Sequence, residues 1–383
     1  MAGIPHFQRL ILLAAAAAMP ASGAAAKPGD RIPDRYICVF KAGPISAGLE
    51  ARQAVASAGG ALTHVYSHVL NGFAARLPAA ALERLRARNP LIDYCEPDRV
   101  VGVPPNEAGV TAGRPGGGGG GGSSQSVGWN IKRVGGPGDG TGRTAWIIDT
   151  GLDFNHEDLN TDQGRSVSYL GLGTTPADQN GHGTHVGGII GAKNDAVGVV
   201  GVAAGATLVS LRVLDASGYG DDSNVIQAID DLAGRVGAAN GAAVGDVANL
   251  SLTADAVSTT LDTAVANLGA AGIKVVIASG NNGQSAGNYS PARAEGTNVY
   301  TVAAFGQVGK RDVWASYSNY GQPPVDYAEP GSSIVSTVID GYGTKSGTSM
   351  AAPHLAGILL LGAPVNSGTV ARTSSDVYTV GAH

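Results

Sequence analysis

The apolar positions change their spacing several times along the chain, and each change marks a boundary. Arg9 precedes a continuous apolar stretch at 10–19, followed by small residues that end in Ala24-Ala25-Ala26. A short apolar core between a basic residue and an A-x-A site is the pattern of a secretory signal peptide. The stretch is too short to span a bilayer, which takes about 20 apolar residues. Residues 1–26 are therefore expected to be removed on export, giving a secreted protein, extracellular or periplasmic, with no membrane contact afterwards. Between 33 and 103, strand-like runs at 36–41, 63–66, 72–77 and 94–101 alternate with helix-like runs at 49–59 and 78–88, the second opening on Pro. The order βαββαβ predicts a small ferredoxin-like α+β unit over 27–103. Seven consecutive glycines at 116–122 then mark 104–124 as a flexible linker open to proteolysis.

From residue 125 the pattern changes again. Apolar runs at 144–148, 207–213, 247–252, 274–278 and 299–303 alternate with helix-like runs at 182–191, 226–236 and 261–271. Such near-continuous apolar strands predict an α/β unit over 125–383, a mostly parallel sheet flanked by helices on both faces. Functional residues then belong at the carboxyl ends of strands and at helix N-termini. The segment 364–383 carries no motif and reads as a terminal strand or tail.

Composition narrows the classes. A hydrophobic fraction of 43% supports a sizeable core, and 14% charged residues is too few for a charge-rich disordered chain. A net charge of −5 argues against nucleic acid as the partner. Residues 27–103 carry 10 basic and 7 acidic residues, whereas 125–383 carry 13 and 22. The two units either dock by charge complementarity or present ordinary solvated faces. Two cysteines exclude a disulfide-dense scaffold and a four-Cys zinc site. Cys38 and Cys95 fall on the first and last strands of the small unit, where they form a disulfide or remain two buried thiols.

Three segments carry chemistry. Ile147-Ile148-Asp149-Thr150-Gly151 places an acid just past an apolar strand. Asn180-Gly181-His182-Gly183-Thr184-His185 places a histidine at the start of a small-residue helix. Ser346-Gly347-Thr348-Ser349-Met350-Ala351-Ala352-Pro353 places a serine where a Gly-rich turn meets a helix. Each alone has a structural explanation as a cap or turn. Together, DTG, HGTH and GTSMAAP in this order closely resemble the subtilisin-type serine proteases, including the proteinase K branch, over most of 125–355, and Asp…His…Ser is the chain order of subtilisin. Residues 33–103 resemble the inhibitor pro-domain of that family.

The resemblance implies a secreted serine endopeptidase that acts on polypeptides through an acyl-enzyme. It implies a self-processed zymogen, with cleavage somewhere in 102–126 and the pro-domain acting as intramolecular inhibitor. Ser349 is the expected nucleophile, His182 its base and Asp149 the residue that orients the imidazole. Asn281, in Ala278-Ser279-Gly280-Asn281-Asn282-Gly283, is the expected oxyanion donor, with Asn282 the better candidate for a left-handed turn. Pro353 is expected in the first helical turn, where its missing N–H is tolerated. Gly218, Tyr219 and Gly220 on one side and Leu250, Ser251 and Leu252 on the other are the expected peptide-binding strands, with Ala278, Ser279 and Gly280 completing a pocket for apolar or aromatic side chains. Thr253 stands where the family usually has Gly, and Asp222 where it usually has an aromatic. Calcium is the expected cofactor, held by Gln125, Asp158, Asp195 and the carbonyls of Lys193, Val197 and Val199. His185, three residues after His182, lacks the spacing of a zinc protease pair. The chain is expected to be a monomer. Two competing readings are a non-catalytic binding module that keeps the fold and an inhibitor whose small unit is the functional product. Labelling by an active-serine phosphonate separates them from the protease.

Overall fold

The computed structural model describes residues 26–43, 46–105, 107–112 and 125–383. The apolar stretch at 10–19 and the glycine run at 116–122 lie outside them. No helix among the described residues is long and apolar enough to cross a membrane.

The small unit forms as its periodicity predicts. Strands Arg31–Phe40, Ala61–Tyr66, Gly72–Arg76 and Ile92–Gly102 pair antiparallel, and helices Ala47–Ala58 and Ala79–Arg88 connect them. Ile92–Gly102 and Arg31–Phe40 are neighbours in the sheet. The buried side chains Phe40, Val55, Phe73, Leu82 and Leu85 fill the space between sheet and helices. The strand register sets Cys38 directly opposite Cys95, and the two are joined in a disulfide.

The large unit is built on a ten-stranded sheet. Its central strands Val247–Leu250, Thr144–Asp149, Thr207–Arg212, Lys274–Ala278 and Val299–Val308 pair in parallel. Side chains alternate across a strand, so Thr144–Asp149 feeds two cores. Trp146 and Ile148 pack with Val225, Ile229 and Leu261 from helices Asp222–Gly234 and Thr259–Ala270. Ala145 and Ile147 pack with Val186, Ile190 and Leu355 from helices His182–Gly191 and Thr348–Leu361. The second pair of helices is apolar nearly all round and almost wholly buried, which sets their first residues at the centre of the unit. The last 20 residues form a hairpin, Val365–Thr373 with Asp376–Ala382, whose second strand joins the main sheet beside Val325–Pro330. Tyr378 and Val380 on that strand are fully buried.

Ile92–Gly102 belongs to both units. Its far end pairs with the short strand Tyr219–Asp221 of the large unit. Two acids on it reach the N-termini of the two outer helices, where unpaired N–H groups concentrate. Asp98 accepts from Ser223 N at 3.1 Å and Ser223 Oγ at 2.7 Å. Glu96 accepts from Thr260 N and Ser258 Oγ, each at 3.0 Å. Conversely, Asp230 of the large unit accepts from the main-chain N–H groups of Ser67, His68 and Val69. Arg35 bridges Asp98 and Asp221 at 2.9 and 2.7 Å. Of these contacts, only the Arg35–Asp221 pair sets a basic side chain of the small unit against an acid of the large one; the others across the boundary set carboxylates against main-chain N–H and hydroxyl groups.

The disulfide closes a loop of 57 residues within the small unit, and the large unit has no cysteine. Replacing Cys38 and Cys95 by serine is expected to destabilise the small unit by roughly 2–4 kcal/mol. Amide exchange across Arg31–Phe40 should accelerate, while the unfolding midpoint read by Trp129, Trp146 and Trp314 in the large unit stays in place. Unchanged exchange would show that the bond carries no stability.

Candidate active site

Asp149 ends the central strand Thr144–Asp149, and His182 opens the helix His182–Gly191. His182 Nδ1 donates to Asp149 Oδ1 at 2.8 Å, and both residues are buried. Thr150 N donates to the same oxygen at 2.6 Å. The helix start is fixed by Asp178, which sequence reasoning missed. Its Oδ1 accepts from Thr150 Oγ1, Asn180 N and Gly181 N, and its Oδ2 accepts from Thr184 N and Oγ1. The available signal was an Asp just upstream of a helix start, where its short carboxylate caps orphan N–H groups.

Ser349 is the second residue of the helix Thr348–Leu361. Pro353 is its sixth, not in the first turn as the sequence suggested, so a mid-helix N–H is missing. The carbonyl it would have served, four residues back, is that of Ser349. Ser251 Oγ donates to that carbonyl at 3.0 Å and itself accepts from Asn249 Nδ2 at 2.9 Å. In turn Ser349 Oγ donates to Ser251 O at 3.4 Å. Ser251, one of the residues expected to bind peptide, and the helix that carries Ser349 are thus tied by two reciprocal hydrogen bonds.

Asn281 follows the strand Lys274–Ala278. Its Oδ1 accepts from Thr348 N and Thr348 Oγ1, both at 2.9 Å, which fixes the amide. The amide nitrogen borders the site: a methyl on Gly347 would lie 3.1 Å from Asn281 Nδ2 and 2.8 Å from Glu107 Oε1. The left-handed positions of this turn are Gly280 and Gly283, so neither Asn281 nor Asn282 serves that role.

The two expected binding strands face each other across a cleft that the end of Ile92–Gly102 fills. Gly220 pairs with Val101 and Tyr219 with Gly102. Gly102 and Thr253 exchange both main-chain hydrogen bonds at 2.9 Å, so the threonine in place of glycine leaves the pairing intact. Leu250, Ser251, Leu252, Ala278, Ser279 and Gly280 line up behind, all buried and none ionisable. Asp222 is fully buried, and burial together with the neighbouring Asp98 carboxylate pushes its carboxyl far above the usual range.

Beyond the cleft, the segment expected to be linker contains a strand, Ala108–Ala112, which pairs with Gly341–Ser346. Low-complexity composition gave no sign of it. A sheet edge with unpaired main-chain groups accepts any extended segment within reach. Between cleft and strand, Glu107 places Oε2 at 3.1 Å from His182 Nε2. Burial opposes a charged imidazole. The carboxylates of Asp149 and Glu107 on its two nitrogens outweigh that and push the His182 pKa up to about 10.

Residues 140–369 match the Subtilase family, and residues 36–103 match Peptidase inhibitor I9. The chain is a subtilase. Alkaline serine exoprotease A of Vibrio alginolyticus is 35% identical over 374 residues, covering 91% of this chain and 64% of that protein. Proteinase R of Parengyodontium album is 34% identical over 342 residues, covering 86% and 79%. Fervidolysin of Fervidobacterium pennivorans, a keratinolytic enzyme related to subtilisin, superposes with a TM-score of 0.69 over 87% of this chain and 55% of its own, at 22% identity, which speaks to the fold. This subtilase is a serine protease that carries an inhibitor pro-domain at its N-terminal side.

The residues expected to hold calcium in the subtilase converge. Gln125 Nε2 donates to the carbonyls of Lys193, Val197 and Val199 at 2.6, 3.2 and 2.8 Å. Asp158 Oδ2 accepts from Val199 N, and Asp195 Oδ1 from Val197 N. Three carbonyl oxygens aimed at one point form a cradle that calls for positive charge, and the amide that sits there carries an oxygen on its other arm. Gly198, at φ +65°, closes the loop: a Cβ there would lie 2.0 Å from Tyr342 Oη and 2.6 Å from Asp158 Oδ2. Burial pushes the Asp158 carboxyl up to about 6. The set is oxygen-rich and fits Ca²⁺. His185 belongs to no such site. It is fully buried with Nε2 beside the carbonyls of Ile334 and Gly343, and burial holds its pKa down near 3.

In the full chain carrying Ser349→Ala, imidazole NMR is expected to show His182 titrating near pH 10. Glu107→Gln in that background should lower the midpoint, because one of the two carboxylates is then neutral. An unmoved midpoint would show that Glu107 does not hold the imidazole.

Proposed function

We propose that Asp149, His182 and Ser349 hydrolyse peptide bonds in a secreted, self-processed zymogen. The observation that carries this reading is the buried Asp149–His182 hydrogen bond beside a serine that opens a helix, bordered by the Asn281 amide. When Glu107 withdraws, His182 Nε2 becomes available to take the Ser349 proton. Ser349 Oγ forms a bond to the substrate carbonyl carbon, and the carbonyl oxygen becomes negative. Asn281 Nδ2 and the Ser349 N–H stabilise that charge. The C–N bond then breaks, and the proton on His182 passes to the leaving nitrogen. Water reverses these steps on the acyl-enzyme, giving the acid and restoring Ser349.

Substrates bind in place of residues 100–103, as an added strand between 218–220 and 251–253. The lining residues carry no ionisable group, which supports an apolar or aromatic side chain before the scissile bond. Folding as a zymogen is supported by Asp98 and Glu96, which cap helices of the protease from the inhibitor side.

Ser349→Ala is expected to abolish polypeptide hydrolysis and phosphonate labelling, a loss of roughly a millionfold in subtilisin. Intact mass should show the wild type processed and the variant joined. Asn281→Ala should lower kcat by about 10²–10³, the effect of this donor in subtilisin, with KM little changed. Retained hydrolysis by Ser349→Ala would remove the assignment.

Calcium at Gln125, Asp158 and Asp195 would join the first described residue after the linker to the loop around 193–199. Its role would be structural, since it would supply positive charge to the carbonyls of Lys193, Val197 and Val199 and none of its expected ligands is Asp149, His182 or Ser349. Chelation is expected to lower Tm, through the loss of roughly 2.7 kcal/mol of stability for a metal at a hundredfold excess over its Kd. Asp158→Asn should abolish that calcium dependence, and a Tm indifferent to chelation in the wild type would count against the site.

A further inference from the structure

The inhibitor segment meets the active site in a fixed register. Gly102 exchanges its main-chain hydrogen bonds with Thr253, and Val103 N donates to Gly218 O at 3.0 Å. Glu107 then sets its carboxylate on His182. The chain therefore crosses Ser349 between Val103 and Glu107. The first residues past the antiparallel clamp are Pro104 and Pro105.

That register has three chemical consequences. Pro104 has no N–H, so it cannot donate to Ser251 O. That carbonyl accepts Ser349 Oγ instead, which directs the hydroxyl hydrogen away from His182. In both the Val103–Pro104 and the Pro104–Pro105 bonds, the leaving nitrogen is a ring nitrogen with Cδ where an ordinary amide has hydrogen. Its lone pair must receive the proton from His182 Nε2 through that crowded approach. Glu107 occupies the nitrogen that would deliver the proton. The chain is also held on both sides of the serine, by the cleft strands before it and by the Ala108–Ala112 pairing after it. Ends created by a cut would stay in place and favour religation.

We infer that residues 102–105 together with Glu107 are a plug this protease does not cut: the inhibitor spans the catalytic serine with its prolines at the reacting position, and processing leaves Val103, Pro104, Pro105 and Glu107 joined to the pro-domain. The inference rests on the protease reading above and specifies which bonds of the expected processing region are spared.

The test maps the termini of the full-length protein after processing, by intact mass and N-terminal sequencing. The wild type is expected to yield no chain beginning at residue 104 or 105. The double variant Pro104→Ala/Pro105→Ala should yield a new chain beginning at residue 105. Glu107→Gln keeps the prolines, so it should create no cut there, yet raise the rate at which phosphonate-reactive enzyme appears by about 10-fold. A wild-type chain beginning at 104 or 105 overturns the plug. So does a double variant that is processed like wild type but stays intact between 103 and 107. The double variant combined with Ser349→Ala separates the two levels. If it is still cut at 104–105, Ser349 is not the agent and the protease reading falls with the inference. If a wild-type cut at 104 or 105 disappears with Ser349→Ala, the protease reading stands and only the plug is lost.

Discussion

Two short strand edges, 218–220 and 251–253, face each other across a gap one strand wide, and their main-chain groups need partners. Everything at the centre of the molecule answers to that need. Residues 100–103 supply the missing strand, which draws the whole pro-domain onto the protease and sets which residue reaches Ser349. In the function proposed above, a polypeptide substrate satisfies the same groups in the same way, so that inhibition and recognition are one set of hydrogen bonds with different chains in the gap. The two differ in the residues that come after the strand, which here are two prolines and a glutamate.

The docked state is also a charge arrangement. Asp98 and Glu96 reach helix N-termini that would otherwise face solvent, and Asp230 sits against three main-chain N–H groups of the pro-domain. Each contact sets a carboxylate against the positive end of a main-chain array, two of them from the pro-domain side and one from the protease side. Asp222 is the exception. Its burial and the neighbouring Asp98 carboxylate outweigh the opposing pull of Arg99 and hold it toward the neutral form.

Much of this was legible in the sequence, for identifiable reasons. Asp149, His182 and Ser349 were singled out because DTG, HGTH and GTSMAAP in this order resemble the subtilisin-type proteases; alone, each reads as an ordinary cap or turn. The βαββαβ unit was readable from periodicity alone. The Cys38–Cys95 bond was not, because composition leaves thiol and disulfide equivalent until the strand register sets the two side by side. Pro353 was placed a turn too early, since the helix start was set from the serine and the compensating donor, Ser251, is 98 residues away in the chain. Glu107 and the strand Ala108–Ala112 were hidden in a proline- and glycine-rich stretch whose partners, His182 and Gly341–Ser346, are contributed by tertiary structure. The terminal hairpin was hidden because its first strand offers a single side chain, Val370, to a core and otherwise reads as polar or exposed.

The reciprocal bonds between Ser251 and Ser349 bear on how such an enzyme can change. Ser251 belongs to the edge proposed to grip the peptide, and it also holds the carbonyl that Pro353 leaves without a helical partner. Grip and nucleophile are therefore one mechanical part. A substitution that shifts the edge to suit a different chain also tilts the serine, so selectivity cannot drift at that edge without turnover drifting with it. Variation is safer on the opposite wall, at Tyr219 and its neighbours, which pair with residues 100–102 and exchange no such bonds with the helix of Ser349.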